Sequence, residues 1–157
     1  MGLLHYSVDV DRDLHSSFEY LADLRHQSRL LPRRRYRNVT FPGAETYGAS
    51  ALMAFDVRVA DRWVPTAVEV TLFNPPYRIV ELSRNPDAPY MVTWECEAIP
   101  GGTQIDLQVS YAVPVAIIGP VVDALFVFRP VARDIEYILT RLKHTLEAPA
   151  TPIPVVA

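Results

Sequence analysis

From Val121 the apolar residues recur at Leu125, Phe128, Ala132, Ile135, Leu139, Leu142 and Leu146, in steps of three and four. That spacing predicts one helical stripe within a rod running from Ile117 to Glu147, about 45 Å long at the rise of an α-helix. Arg133, Asp134, Arg141 and Thr145 fall off the stripe and predict a wet face for the second half. The first half, "IIGPVVDALFVF", is apolar nearly all round, with Asp123 its only charge. Such a segment must be covered on every side by protein, by a bound molecule or by a partner. Val122, Phe126 and Val127, off the stripe, suit either a lid or a dimer contact. Pro130 separates the halves and predicts a kink.

Upstream the period changes to two. Leu4, Tyr6, Val8 and Val10 alternate with His5, Ser7 and Asp9, which predicts a half-buried strand. Asp11 and Asp13 are candidate N-caps, Ser16 and Glu19 have the capping-box spacing, and Leu14, Phe18, Leu21 and Leu24 predict a short helix. A second helical turn or irregular segment follows as far as Pro32. Strands are then predicted over 36–41, 49–60, 64–72 and 77–83, separated by turns rich in Pro, Gly and Asn. Ala51, Met53, Phe55, Val57 and Val59 share a face, as do Thr66, Val68, Val70 and Leu72. The clearest alternation comes last. Tyr90, Val92, Trp94, Cys96 and Ala98 face one way, and after Pro100-Gly101-Gly102 so do Ile105, Leu107, Val109, Tyr111 and Val113. This is an antiparallel hairpin with one wet face. A sheet wet on one side buries its other side, and the final helix is the large apolar object available to cover it. The expected fold is α+β: a strongly curved antiparallel sheet of about seven strands wrapped around a long C-terminal helix, with two short helices after strand 1. Residues 1–147 form the domain and 148–157 a Pro-rich tail.

Length and composition fit that picture. A chain of 157 residues, half of them hydrophobic and 21% charged, reads as one globular domain. Cys96 is the sole cysteine, so no internal disulfide forms and a reducing cytoplasm is the expected compartment. The longest apolar run, 111–122, is broken by Pro114, Gly119 and Pro120, so no membrane span is expected. The net charge of −3 hides an asymmetry. Six of the fifteen basic residues are Arg25, Arg29, Arg33, Arg34, Arg35 and Arg37, leaving nine against eighteen acidic ones elsewhere. That patch is either a solvated turn or a docking surface for an acidic partner; no nucleic acid is expected.

The runs "YMVTWECEAIPGGTQIDLQVSYAVP" and "LFVFRPVARDIEYILTRLKHTLE", with the opening "VDVDRDLHSSFEYLADLRHQSRLLP", resemble the polyketide cyclase/dehydrase and lipid-transport group of the START-like (SRPBCC, Bet v 1-type) superfamily. The specific points are Trp94, Gly101-Gly102-Thr103, Tyr111, Leu142-Lys143 and Leu146-Glu147. The resemblance implies a helix-grip fold with a deep cavity for a hydrophobic ligand. It covers aromatase/cyclases, coenzyme Q-binding proteins and non-catalytic carriers.

Candidate chemistry is sparse. His5, His15, His26 and His144 have no partners at metal-site or triad spacing, and His26 is the weak catalytic candidate for its place near the expected cavity mouth. No phosphate loop or paired-Cys site occurs, and neither a metal nor a cofactor is expected. Tyr6, Phe55, Thr66, Tyr90, Trp94, Cys96 and Tyr111 on the inward faces, with Leu125 and Phe128 of the helix, form the expected ligand lining. The same side chains would equally serve as core filling, and Cys96 as an inert thiol. Asp56 and Arg58 share the wet face of their strand; a bulge would turn them inward to polarise a ketone. The resemblance implies inward Ser, Arg and Trp residues in aromatase/cyclases; Trp94 fits, and no inward Ser–Arg pair is found. Two functions stay open. A cyclase would fold a poly-β-ketone and promote aldol closure and dehydration, with Arg29, Arg33, Arg34, Arg35 and Arg37 docking an acidic acyl carrier protein. A carrier would bind a lipid, isoprenoid or quinone, with the same arginines on an anionic membrane surface. Either would act as a monomer or a homodimer.

Overall fold

The predicted alternation is realised as one antiparallel sheet. The computed structural model describes residues 2–59, 61–85, 89–111 and 129–149. Its elements are β1 (Gly2–Val10), α1 (Leu14–Ala22), α2 (Leu24–Ser28), β2 (Tyr36–Thr40), β3 (Leu52–Val59), β4 (Arg62–Asn74), β5 (Arg78–Ser83), β6 (Tyr90–Ile99), β7 (Gly102–Tyr111) and α3 (Arg129–Glu147). Among the described residues the sheet has seven strands in the order β1-β7-β6-β5-β4-β3-β2. Sequential strands are therefore neighbours except at β1, which pairs with β7 and brings the first strand beside the last.

The β6–β7 hairpin shows why its turn is built as it is. Gly101 sits at φ +85°, a conformation that L side chains rarely adopt. At Gly102 the constraint is space: a Cβ there would overlap the Val10 carbonyl oxygen of β1. Thr103 then donates its hydroxyl to the Arg12 carbonyl at 2.7 Å. The Gly-Gly-Thr run thus ties the hairpin to the end of β1 through backbone shape, close approach and one hydrogen bond.

At the first helix the signals are met in part. Asp13 rather than Asp11 is the cap, Ser16 lies inside α1 so the Ser16–Glu19 capping box is not formed, and Leu24 falls in α2, while β4 and α3 depart from the pattern further on. Asp13 caps α1, its carboxylate accepting from the Ser16 amide at 3.0 Å. Asp23 ends α1 and caps α2, accepting from the Arg25 amide at 2.9 Å. The first departure is in β4. A register shift between Val70 and Leu72 turns Leu72 outward, away from Thr66, Val68 and Val70, and delivers Phe73 to the core in its place.

The second departure is on α3. Ile135, Leu139, Leu142 and Leu146 are buried as the stripe requires, each contributing ~1.5–3 kcal/mol before entropy is subtracted. Asp134, expected on the wet face, is instead only 3 % exposed. Arg35 pairs with it at 3.1 Å and the Tyr36 hydroxyl donates to the same oxygen at 3.2 Å, so its burial is matched by partners from the chain leading into β2. At the far end of the helix, Lys143 donates to the Asp9 carbonyl at 2.6 Å and bridges Glu147 at 2.7 Å. Glu147 also accepts from the Asp11 amide. These contacts fasten α3 to β1. The oily half of the expected rod, the upstream flank of Pro130, Leu125, Phe128 and the tail beyond residue 149 lie outside the described residues. No helix among the described residues is long and apolar enough to cross a membrane.

The two glycines fail differently when substituted. Gly101→Ala should cost about 1 kcal/mol through backbone strain, whereas Gly102→Ala must displace β1 or the turn and should cost more, roughly 2 kcal/mol or above. Urea unfolding of both variants checks this, and equal losses would contradict the close approach at Gly102.

Candidate functional site

The inner face of the sheet is organised in cross-strand rows. Through the paired register, Leu4, Val109, Val92, Glu81 and Val70 form one row across five strands. Glu81 is the one polar member. The adjacent row is Tyr6, Leu107, Trp94, Ile79 and Phe73, and on the other side Tyr111 pairs with Tyr90. Glu81 therefore has Trp94 and Tyr90 as diagonal neighbours on β6, within reach of long side chains. Gln27 of α2 completes the enclosure from above and is itself buried, donating to the Leu21 carbonyl at 2.8 Å.

Glu81 is 3 % exposed. Loss of water pushes its carboxyl up to about 7, against a partial opposing pull from the N–H groups of Gln27 and Trp94. Both groups approach the carboxyl, but neither closes a hydrogen bond of normal geometry on Oε1. That atom is fully buried without a partner, and the Trp94 Nε1 beside it is likewise unpartnered. An unsatisfied buried polar group costs about 1–3 kcal/mol, so this donor and acceptor are the costly polar exceptions on an otherwise oily face. A carboxyl poised near neutrality in an oily setting can both take and return a proton.

The remaining inner-face groups are apolar or tightly held. Burial drives the Tyr90 hydroxyl well above its usual range, reinforced by Tyr36 and Glu81. Burial likewise raises Tyr36, whose ring meets Phe55 edge-on at 5.5 Å. The Cys96 thiol is pushed up to about 12, first by burial and then by Asp106, so it is an unreactive neutral thiol. Thr66 is buried on the same face opposite Phe55. Tyr6, Phe55, Thr66, Tyr90, Trp94, Cys96 and Tyr111 are thus brought to one surface, as their parity predicts.

The catalytic candidates Asp56, Arg58 and His26 are placed elsewhere. β3 pairs with β4 without a bulge from Leu52 to Val59, so Asp56 and Arg58 stay on the outer face. Asp56 accepts from Asn38 at 2.9 Å and faces Arg37 at 3.5 Å. Arg58 is exposed, its amide donating to the Arg35 carbonyl. His26 is engaged between α1 and α2, with Nδ1 2.8 Å from the Tyr20 carbonyl and its ring stacked on Tyr20 at 4.5 Å. The arginine patch also divides. Arg35 is committed to Asp134, Arg25 to Asp23, and Arg37 to Asp56 with its guanidinium over the Trp63 ring. Arg29, Arg33 and Arg34 remain exposed, without an ion pair among the described residues. No group of three His, Cys, Asp or Glu among the described residues could hold a metal ion.

Because the folded carboxyl of Glu81 titrates above its unfolded value of 4.5, the native state holds its proton more tightly and loses stability as pH rises from about 4.5 towards 7. Glu81→Gln should remove that loss, on the order of 3 kcal/mol at full ionisation. The difference in unfolding free energy between variant and parent should therefore grow between about pH 5 and 8. A constant difference across that range would show that Glu81 titrates normally.

Several known proteins share this fold, although no curated protein matches the chain. The KanY protein superposes with a TM-score of 0.75 at 14% identity, covering 94% of this chain and 100% of its own. TTHA0849 from Thermus thermophilus gives 0.74 at 17% identity, with 92% and 97% covered. The di-domain ARO/CYC BexL from the BE-7585A biosynthetic pathway gives 0.73 at 18% identity. This chain is 95% covered there and spans 51% of BexL. At such identities these likenesses establish the helix-grip, Bet v 1-type fold. The family model described as "Polyketide cyclase / dehydrase and lipid transport" matches residues 1–147, and the chain belongs to that family.

Proposed function

We propose that this protein takes up a hydrophobic, aromatic small molecule between the inner face of its sheet and α3, and promotes aldol cyclisation and dehydration of a polyketide-type substrate. The observation that carries this reading is Glu81, a buried carboxyl near neutrality with an unpartnered oxygen, next to an unpartnered indole N–H. The family match and the likeness to an ARO/CYC fold support it.

The chemistry balances on one proton. Ionised Glu81 takes a proton from the methylene between two carbonyls, and the Trp94 N–H donates to the enolate oxygen that forms. The enolate carbon bonds to a second carbonyl carbon of the same chain, and the resulting alkoxide recovers the proton from Glu81. A second removal at the same carbon expels the hydroxyl, which leaves with that proton as water. Exclusion of solvent and a fixed fold of the substrate supply the rest of the acceleration. The guanidinium groups of Arg29, Arg33 and Arg34, without an ion pair among the described residues, would present the acyl chain's acidic carrier protein with a docking surface.

A second reading, non-catalytic binding of a lipid, isoprenoid or quinone, is favoured by the apolar character of every other member of the Glu81 row. A short poly-β-ketone thioester mimic separates the two. The cyclase reading predicts that the parent protein redirects spontaneous products towards one cyclised, dehydrated aromatic, and that Glu81→Gln slows this about a hundredfold or more while still binding. An unchanged product distribution would leave the carrier.

A further inference from the structure

The unpartnered atoms Glu81 Oε1 and Trp94 Nε1 are of opposite kind, one acceptor and one donor, side by side on the inner face. A ligand atom that satisfies both must donate and accept at once. A hydroxyl does this with a single oxygen: its proton goes to the carboxylate and its lone pair receives the indole N–H. An ether, quinone or ketone oxygen only accepts, so it meets the indole but gives an ionised carboxyl nothing. An ammonium only donates, so it meets the carboxyl and leaves the indole unpaired. A second carboxylate would be repelled. A neutral Glu81 also suits a hydroxyl, giving its proton to the ligand oxygen and accepting through its other oxygen. The hydroxyl is thus the group that fits both protonation states. Its bearer is constrained by the flanking walls. Tyr90 lies on one diagonal, Trp94 itself on the other, and Tyr6 and Leu107 continue the row. Flat faces of this kind favour a planar ring over a branched chain.

We infer that Glu81 and Trp94 form a hydroxyl-reading subsite that selects a phenolic or enolic ligand. The assignment rests on the inner face being the ligand site, and it deepens that reading by naming the chemical class that enters. In a cyclisation it would discriminate the enolised or aromatised ring from unreacted ketone. In a carrier it would favour phenols over quinones and hydrocarbons.

The test uses three probes of nearly equal shape at about pH 8, where a phenol is still protonated: 1-naphthol, 1-methoxynaphthalene and naphthalene. The subsite predicts that 1-naphthol binds about tenfold more tightly than its methyl ether, the usual consequence of leaving buried polar groups unpaired. It also has a local signature. The chain has two tryptophans, Trp63 and Trp94, and Trp63 lies under the Arg37 guanidinium. The Trp94 indole N–H resonance, assigned by its loss in Trp94→Phe, should move downfield with 1-naphthol as the hydrogen bond forms, and the Trp63 resonance should stay. Trp94→Phe and Glu81→Leu should each bring 1-naphthol close to the affinity of its ether. Glu81→Leu replaces an unpaired carboxyl with an apolar side chain, so the fold should survive it. Equal affinities for all three probes in the parent protein would overturn the subsite while leaving the inner face as a ligand site. Failure of all three to bind would overturn both.

Discussion

Glu81 is kept from water by the parity of the strand that carries it. In an antiparallel sheet with one dry face, every second residue of a central strand is committed to that face whatever its chemistry. β5 lies fourth in the seven-strand order, with neighbours on both sides. A carboxyl on its inward parity cannot reach the rim or an open edge. Its surroundings then settle its state. Val70, Val92, Val109 and Leu4 in its row offer no hydrogen bonds, so the neutral form is favoured until the pH approaches 7.

The chain contains an internal contrast. Asp134 is buried to the same degree as Glu81, and burial raises its carboxyl too. Asp134, however, meets the Arg35 guanidinium and the Tyr36 hydroxyl, and the three together join α3 to the start of β2. That is a buried polar group with a structural reason to exist. Glu81 has no guanidinium or hydroxyl beside it: the N–H groups of Gln27 and Trp94 approach the carboxyl, and Oε1 accepts no hydrogen bond. Its desolvation in an otherwise oily row costs stability. Asp134 is thus architectural, and the proposed chemical role falls to Glu81.

Much of the fold is legible in the sequence because the signals are local and periodic. The alternation from Tyr90 to Tyr111 specifies a hairpin and its dry face, and the stripe from Ile135 to Leu146 specifies the helix face that meets it. What escapes is set by register or by distant partners. Glu81 does not stand out because β5 is only six residues long, and its inward parity emerges only when Ile79 is placed opposite Trp94. Working that register back from the turn that the sequence predicts at 85–89 is the signal that could have found it. Leu72 reads as inward because a bulge between Val70 and Leu72 leaves no mark in the hydrophobic pattern. Asp134 reads as solvated because its partner, Arg35, is 99 residues away in the chain. The run of arginines that reads as one patch likewise divides, among the described residues, into ion-paired Arg25, Arg35 and Arg37 and the unpaired Arg29, Arg33 and Arg34.

The proposed function needs Glu81 to be a buried carboxyl that ionises near neutrality, and its own titration decides this. A carbon-detected NMR titration of the side-chain carboxyl groups, with Glu81→Gln to assign the signal, reads the ionisation at the atom concerned. The expected midpoint lies near the value of about 7 that burial imposes. A midpoint in the ordinary glutamate range, near 4.5, would mean that water reaches the group and would remove Glu81 from the chemistry.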